Sequence, residues 1–252
     1  MYRVIQWATG GVGKAAIQDV LRHPPELELV GCWVHSADKH GRDVGDVIGE
    51  AQSGVAATTD IDELLAMDAD CVMYSPPLLP DDDVVARILR SGKNVVTPVG
   101  WVYPDRQNPG VQALEEACAA GNATLHGSGI HPGGITERFP LMISSLSSAI
   151  THVRAEEFSD IRTYNAPLVV REVMGFGLTP EQAMSGPIAA LLEAGFKQSV
   201  RMVADQLGFR AEPPHPVHPG GGGRRHRYRR ARGADGGRHR GRTPVPLGGH
   251  RR

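Results

Sequence analysis

A glycine-rich turn near the beginning of the chain constrains the fold more than any other feature. The stretch QWATGGVGKAA places glycines directly after an apolar run, at the spacing Gly10-x-x-Gly13-x-x-Ala16. Glycines at such a spacing allow a tight strand-to-helix turn and a close approach of the backbone to a phosphate. The pattern predicts a phosphate-binding turn that opens a helix, and the alternative is a tight corner without a ligand. The residues expected to hold the phosphates are Thr9, Gly10, Gly11, Val12 and Gly13.

Strands and helices alternate over the first 130 residues. Apolar, β-branched runs predict strands over 2–8, 27–34, 69–74, 93–99 and 123–130, and apolar residues at helical spacing predict helices between them. This alternation, with right-handed crossovers, gives a parallel sheet covered on both faces. The predicted fold class is α/β: a doubly wound parallel Rossmann sheet, followed by a truncated α+β second domain and a disordered basic tail.

The end of the second predicted strand bears on which dinucleotide the turn would bind. An acidic residue there binds the ribose of NAD, whereas cations accommodate the 2′-phosphate of NADP. Residues 33–37 contain no acid, and Ser36, Lys39 and Arg42 lie at or just beyond the strand end. The sequence therefore predicts NADP or NAD as the cofactor and favours NADP, held by Ser36 and Lys39. The alternative is that Lys39 and Arg42 are ordinary solvated charges of a loop.

The pattern changes after residue 130. The sequence predicts a helix over 137–150, a strand over 152–161 and a helical stretch over 179–208. We interpret residues 131–212 as a partial α+β domain for substrate binding and oligomerisation, which follows an NAD(P)-binding Rossmann domain of residues 1–130.

Several stretches of the first 212 residues resemble a known group of enzymes. They are VIQWATGGVGKAAIQDVL, ELVGCWVHSADKHGRDVGDVIG, GSGIHPGG and VVREVMGFGLTPEQ. Together they are similar to the dihydrodipicolinate reductase-like and 2,4-diaminopentanoate dehydrogenase-like NAD(P)-binding proteins. The resemblance implies a homo-oligomer that transfers a hydride between NAD(P)H and a C=N or amine carbon. The chain lacks the His-His pair, the following lysine and the Asp-Ala-Pro-Ser-Gly-Thr loop of dihydrodipicolinate reductases, so the diaminopentanoate dehydrogenase-like branch fits better.

Candidate residues for chemistry follow the predicted strands, because ligands of doubly wound sheets bind beyond the carboxyl ends of the strands. Ser75 and Pro76 are expected along the nicotinamide. His131 is the candidate for proton transfer, and the alternative is a hydrogen-bonded hinge histidine between domains. Glu137 and Arg138 are expected to bind substrate, Arg138 by clamping a carboxylate; the alternative is a solvated ion pair.

The cysteines and the apolar runs limit where such a protein works. Cys32, Cys71 and Cys118 are odd in number and widely separated, so neither a disulfide framework nor a zinc site is predicted. No signal peptide or membrane-spanning run is visible. We therefore expect a cytoplasmic protein with free thiols, no metal and no membrane partner.

The last forty residues, 213–252, differ in composition from the rest. They hold eleven of the 27 basic residues of the chain but only one of its 28 acidic residues, and Gly, Arg, Pro and His dominate them. Such a segment cannot form a core. It is either an Arg/Gly-rich arm that binds nucleic acid or a frame-shifted translation of GC-rich DNA. The abrupt change inside an unfinished domain favours the frameshift.

The sequence thus predicts an NAD(P)-dependent dehydrogenase or reductase that acts on a C=N or amine carbon of a small amino-acid-like substrate. The alternatives are a nucleotide-binding regulator with a basic nucleic-acid-binding tail, and an inactive truncated product.

Overall fold

The computed structural model describes most of the first 211 residues and one short stretch of the tail. The described ranges are 1–23, 26–76, 79–156, 160–164, 167, 169–179, 181–182, 187–211 and 228–230.

Six parallel strands form one sheet in the order β3-β2-β1-β4-β5-β6. Their bounds are β1 Tyr2–Trp7, β2 Leu27–Trp33, β3 Ala57–Thr58, β4 Cys71–Tyr74, β5 Asn94–Thr97 and β6 Leu125–Gly127. The predicted doubly wound Rossmann sheet is confirmed. The two-residue strand β3 was not predicted, because two residues carry no periodicity.

Helices connect the strands and cover both faces of the sheet. They are α1 Gly11–Arg22, α2 Val44–Ile48, α3 Ile61–Ala66, α4 Asp82–Arg90 and α5 Pro109–Gly121, with a 3₁₀ turn at Ala37–Lys39. Side-chain caps begin four of these helices, because an Asp or Asn oxygen accepts a hydrogen bond from a first-turn N–H. The capping residues are Asp43, Asp60, Asp81 and Asn108.

The core lies in two layers, one on each side of the sheet. On one face, Ile5 and Val72 pack with Ile88 and Leu89 of α4 and Leu114 of α5. The buried residues of the other face are Val4, Ile17, Val20, Leu29, Cys32, Val34, Val44, Ile48 and Ala57. The sheet therefore buries both faces with its own crossover helices, as a parallel sheet requires.

After residue 130 the regular elements are sparser. They are α6 Arg138–Ser144, a π-helical turn at Val169–Val173, α7 Pro187–Leu207, and β7 Phe209–Ala211, which pairs antiparallel with β8 Tyr228–Arg230. The strand predicted over 152–161 is not formed at residues 152–156 or 160–161, and 157–159 lie outside the described residues. The basic tail also lies outside them, except for β8. Its two interpretations, and the division into domains, stay predictions.

Helix α7 joins the second region to the sheet. The backbone N–H of Tyr103 donates to Oε1 of Gln198 at 3.1 Å, and the Tyr103 hydroxyl donates to Asp205 at 3.1 Å. Arg201 pairs with Asp105 at 3.0 Å. These contacts fix α7 against the loop that follows β5. Within the described residues, no helix combines the length and the apolar character that crossing a membrane requires.

Candidate nucleotide and substrate site

The strand order reverses between β1 and β4, which places a crevice at the carboxyl ends of these neighbouring strands. The glycine turn follows β1 and leads into α1, and Ser75 and Pro76 follow β4. The backbone N–H of Ser75 lies 3.3 Å from the carbonyl oxygen of Trp7, so the two loops start side by side. The structure therefore brings the turn and the Ser75–Pro76 segment to one edge of the sheet.

The glycines of the turn have different surroundings. A Cβ added at Gly10 or Gly11 would meet nothing within 4 Å, whereas one added at Gly13 would lie 2.1 Å from the carbonyl oxygen of Ala8. Gly13 therefore allows α1 to pack closely on the end of β1, and Gly10 leaves the helix N-terminus open to a ligand.

These surroundings shift the assignment of the motif. Ala8 has a φ of 70° and adopts the left-handed conformation that favours glycine. In a dinucleotide turn the first glycine makes the tight turn, the second admits the pyrophosphate and the third packs the helix on the strand. Ala8, Gly10 and Gly13 hold these places here. The motif predicted from the sequence, Gly10-x-x-Gly13-x-x-Ala16, therefore starts one motif position too late. It assigns Gly10 to the first place of the motif, whereas Gly10 holds the second.

Lys39 and Thr9 come together across the crevice. The Lys39 ammonium lies 3.3 Å from Oγ1 of Thr9, although thirty positions separate the two residues. Lys39 ends the 3₁₀ turn that Ser36 begins. Burial raises the pKa of the Cys32 thiol to about 12, and the nearby Lys39 charge opposes this rise. A cation, a hydroxyl and a backbone turn thus stand at the end of β2.

An aromatic layer that was not predicted from the sequence supports this edge. Trp7, Trp33 and Tyr74 are the last residues of β1, β2 and β4. The Trp7 and Trp33 rings stack at 4.7 Å, and Tyr74 lies 5.6 Å from Trp7. Burial raises the pKa of the Tyr74 hydroxyl, which accepts a hydrogen bond from the N–H of Asp81. The shared position of the three residues at strand ends was the signal available in the sequence.

The loop after β6 holds His131 and Glu137 in a compact arrangement. Gly129 and Gly133 have φ values of 131° and 127°. The carboxylate of Glu137 is fully buried and accepts hydrogen bonds from the N–H of Gly133 and the hydroxyl of Thr136, both at 2.7 Å. Glu137 therefore fixes the loop, and it is not part of a solvated ion pair. The His131 ring lies 4.7 Å from the Phe196 ring of α7.

A cleft of about 760 Å³ opens between the Rossmann sheet and α7. Arg138 lines it and lies 3.5 Å from Nε2 of His126. Two other arginines of the cleft are neutralised, Arg106 by Glu115 and Arg201 by Asp105. Among the described residues, Arg138 forms no ion pair with a carboxylate. Within the described part of the chain, Arg138 is thus the arginine of the cleft whose guanidinium no carboxylate neutralises.

The predicted site residues therefore fall into two groups. The turn residues, Ser36, Lys39, Ser75 and Pro76 lie around the ends of β1, β2 and β4. His131, Glu137 and Arg138 follow β6, where His131 contacts α7, Arg138 lines the cleft and Glu137 is buried in the loop. In the part of the chain that the structure describes, no group of three or more His, Cys, Asp or Glu residues is arranged to hold a metal ion.

Comparisons with known proteins agree with this architecture. No protein-family model matches the chain. It is 35% identical over 219 residues to an amine dehydrogenase of Streptomyces virginiae, a match that covers 82% of this chain and 60% of that protein. A solved structure of amine dehydrogenase from Mycobacterium smegmatis superposes with a TM-score of 0.69 at 19% identity, over 84% of this chain and 63% of that one. The chain thus shares the fold of the Mycobacterium smegmatis protein and spans about three fifths of the length of both relatives.

Proposed function

We propose that the chain is the nucleotide-binding part of an NAD(P)-dependent oxidoreductase that acts on an amine or C=N carbon of a small amino-acid-like substrate. The observation that carries the proposal is the Ala8–Gly13 turn, which opens α1 where the strand order reverses. The identity to an amine dehydrogenase supports the amine as substrate class. The 2,4-diaminopentanoate dehydrogenase-like branch fits this substrate class better than dihydrodipicolinate reductases do.

The residues of the turn fit a dinucleotide. Gly10 and Gly11 are exposed with open space at their Cα atoms, so backbone N–H groups at the start of α1 are accessible to a pyrophosphate. Thr9, Val12 and Gly13 complete the turn, and Ser75 and Pro76 border the crevice on the β4 side. When bound, the nicotinamide supplies the hydride chemistry, and the protein supplies binding, orientation and proton transfer.

We assign the NADP preference to Lys39. Its ammonium stands beside Thr9 at the end of β2, near Ser36, and residues 33–37 contain no carboxylate to bind an unmodified ribose. A 2′-phosphate would gain a charge-assisted hydrogen bond there. Cations at this strand end are the feature that distinguishes NADP from NAD in this fold.

The substrate would occupy the cleft beside α7. Arg138 offers a guanidinium for a substrate carboxylate. His131 is our candidate for the proton step, because it follows β6 at the edge of the same loop. Glu137 acts on substrate through the loop that it holds, since both of its oxygens accept hydrogen bonds from that loop. We further propose a cytoplasmic homo-oligomer.

Nucleotide titration of the purified chain tests the proposal. We expect saturable binding that is tighter for NADPH than for NADH. Nucleotide fluorescence and the thermal shift of the protein measure it. Lys39→Met should weaken NADPH binding about tenfold, as expected for one charge-assisted hydrogen bond, and NADH binding by less than about twofold. Arg90→Met, which removes an exposed cation from the last turn of α4, is the matched control and should change neither. Absence of binding to both nucleotides would overturn the proposal.

Substrate screening tests the amine assignment separately. Primary amines with and without a carboxylate are offered with NADP⁺, and NADPH formation is measured. We expect Arg138→Met to raise KM for the carboxylated amines with a smaller effect on kcat, because it removes a ground-state contact. His131→Gln should lower kcat and remove the acidic limb of the pH profile. An unchanged pH profile would exclude His131 from proton transfer.

A further inference from the structure

The side chain of Gln6 supports the phosphate-binding turn from inside the sheet. Gln6 lies in β1 and is fully buried. Its Nε2 atom donates hydrogen bonds to two successive carbonyl oxygens, that of Trp7 at 2.8 Å and that of Ala8 at 3.1 Å. A Cβ added at Gly13 would lie 2.9 Å from the same Nε2 atom. Gln6 thus contacts both ends of the turn without reaching the ligand side.

The other end of this amide has no hydrogen-bond partner among the described residues. Oε1 of Gln6 is buried and accepts no hydrogen bond from any described residue. The opposite amide orientation would place Oε1 against two carbonyl oxygens, so the contacts require the present one. A buried unpaired acceptor costs folding free energy. An apolar side chain of similar length would avoid this cost, so the contribution of Gln6 lies in the two bonds that Nε2 donates.

Those two bonds are accepted by the carbonyl groups on either side of the Ala8 Cα, and Ala8 has an unfavourable backbone conformation. Ala8 has a φ of 70°, a conformation that costs alanine more than glycine. Its N–H donates to the carbonyl oxygen of Trp33 at 2.9 Å, and its own carbonyl accepts from Gln6 and lies against Gly13. Both peptide groups of Ala8 are therefore held, one by β2 and the other by Gln6.

We propose that Gln6 is a positioning residue of the nucleotide site, which keeps Ala8 in the left-handed conformation and so directs the first N–H groups of α1 towards the phosphates. The proposal rests on the proposed nucleotide function. It differs from a general stabilising role, because it requires that Gln6 act through Ala8. Glycine at position 8 adopts this conformation without support, so the substitution should make Gln6 dispensable.

A double-mutant cycle tests this requirement. The variants are Gln6→Met, which has similar length and no donor, Ala8→Gly, and the two combined. We expect Gln6→Met to weaken NADPH binding about fivefold, the equivalent of one neutral hydrogen bond. In the Ala8→Gly background the same change should weaken binding by less than about twofold. An equal loss in both backgrounds, or no loss in either, would overturn the proposal.

Amide hydrogen exchange of the nucleotide-free chain separates this inference from the proposed function. Gln6→Met should speed exchange at residues 8–14, where Lys14 donates to the carbonyl of Gly10 at 2.7 Å, and Ala8→Gly should restore the slower rate. If the chain shows this outcome but binds neither nucleotide, Gln6 does support the conformation of Ala8, and the nucleotide site is refuted. Unchanged exchange at residues 8–14 would refute the support of Ala8 by Gln6.

Thr58→Val is the matched control for both measurements. Thr58 is buried in β3, where its hydroxyl donates to Glu63 at 2.6 Å and accepts from the N–H of Asp60 at 3.0 Å. The substitution also removes two hydrogen bonds from a buried side chain, but at the edge of the sheet. Thr58→Val should leave NADPH affinity and exchange at residues 8–14 unchanged. If it weakens NADPH binding as much as Gln6→Met does, the weakening reflects a general loss of buried hydrogen bonds and not the position of Gln6.

Discussion

The Rossmann sheet and the region after His131 differ in how they bury their apolar residues. In the sheet, crossover helices cover both faces, and Ile88 and Leu89 of α4 are completely buried. In the second region, α6 exposes Met142 by 63% and Ile143 by 59%. Burial of apolar surface is the main stabilising contribution to a fold. Among the described residues, the sheet supplies its own core, whereas α6 depends on its loop and on α7.

The two regions also differ in how their helices begin. Asp60 caps α3 and Asp81 caps α4 with side-chain hydrogen bonds. Helix α6 has no such cap, because the carboxylate of Glu137 at its N-cap position accepts from Gly133 instead. Local sequence thus specifies the starts of α3 and α4, while the loop after β6 specifies the start of α6. The second region is positioned by contacts with other segments more than by its own sequence.

The largest expected effect comes from truncating an isoleucine in each region. Ile88→Ala removes a fully buried side chain of α4 and should lower the free energy of unfolding by about 2–5 kcal/mol. Ile143→Ala makes the same change on α6, where the side chain is 59% exposed, and should cost less than about 0.5 kcal/mol. Urea unfolding of both variants measures the difference.

The comparison between the regions would fail if Ile143→Ala were as destabilising as Ile88→Ala. That result would mean that the exposed face of α6 is covered in solution. Sedimentation of the wild-type chain and of the Ile143→Ala variant would then show whether a second copy provides the cover, since the variant would dissociate.

A second prediction separates packing from binding within the glycine turn. Gly13→Ala places a Cβ 2.1 Å from the Ala8 carbonyl oxygen and should destabilise the fold by about 1–3 kcal/mol, because backbone must move. Gly10→Ala meets nothing within 4 Å and loses only the N-cap preference for glycine, so it should destabilise the fold by less than about 1 kcal/mol and yet bind NADPH more weakly. Thermal unfolding and nucleotide titration are run on both variants. Equal destabilisation by the two would argue against the separate roles of these glycines.

Much of the sheet was predictable because its signals are local. The apolar runs of β1, β2, β4, β5 and β6 and the helices between them have the lengths and periodicities of a doubly wound fold. Strand β3 has two residues and forms through pairing with Cys32 and Trp33 of β2, which no local pattern reveals. The alternation in 152–156 resembled a strand, but no described neighbour pairs with it.

The candidate site was predictable in composition more than in geometry. The turn, Lys39 and the loop after β6 were found from residue types and their order. Other features depend on distances that a sequence does not contain. They are the contact between Lys39 and Thr9, the burial of Glu137 and the hydrogen bond from Gln6 to Ala8. Ala8 was not predicted to be part of the motif, because alanine does not indicate a left-handed backbone. The end of β1 and the start of α1 together impose this conformation on it.

A third prediction concerns the helix caps that distinguish the sheet. Oδ1 of Asp60 accepts hydrogen bonds from the N–H groups of Asp62 at 2.8 Å and Glu63 at 3.3 Å. Asp60→Ala should lower the free energy of unfolding by about 1 kcal/mol, and Asp60→Asn, which retains the accepting oxygen, by much less. Urea unfolding compares the two. Equal losses would assign the effect to charge and not to the cap.

The smallest expected effect is a pH dependence of the free energy of unfolding that arises from Cys32 of β2. Burial raises the pKa of the Cys32 thiol from 9.0 to about 12. Between these values the unfolded chain loses this proton while the folded chain keeps it, so stability falls as the pH rises. From pH 8 to 9.5 Cys32 alone should account for a loss of about 0.8 kcal/mol, and Cys32→Ala should remove this part. Cys118→Ala, which changes a thiol on α5 beside the cleft, is the control. If the free energy of unfolding of Cys32→Ala falls with pH as steeply as that of the wild-type chain, other groups cause the loss of stability at high pH. Cys32 would then be more open to solvent than a well-packed Rossmann sheet allows.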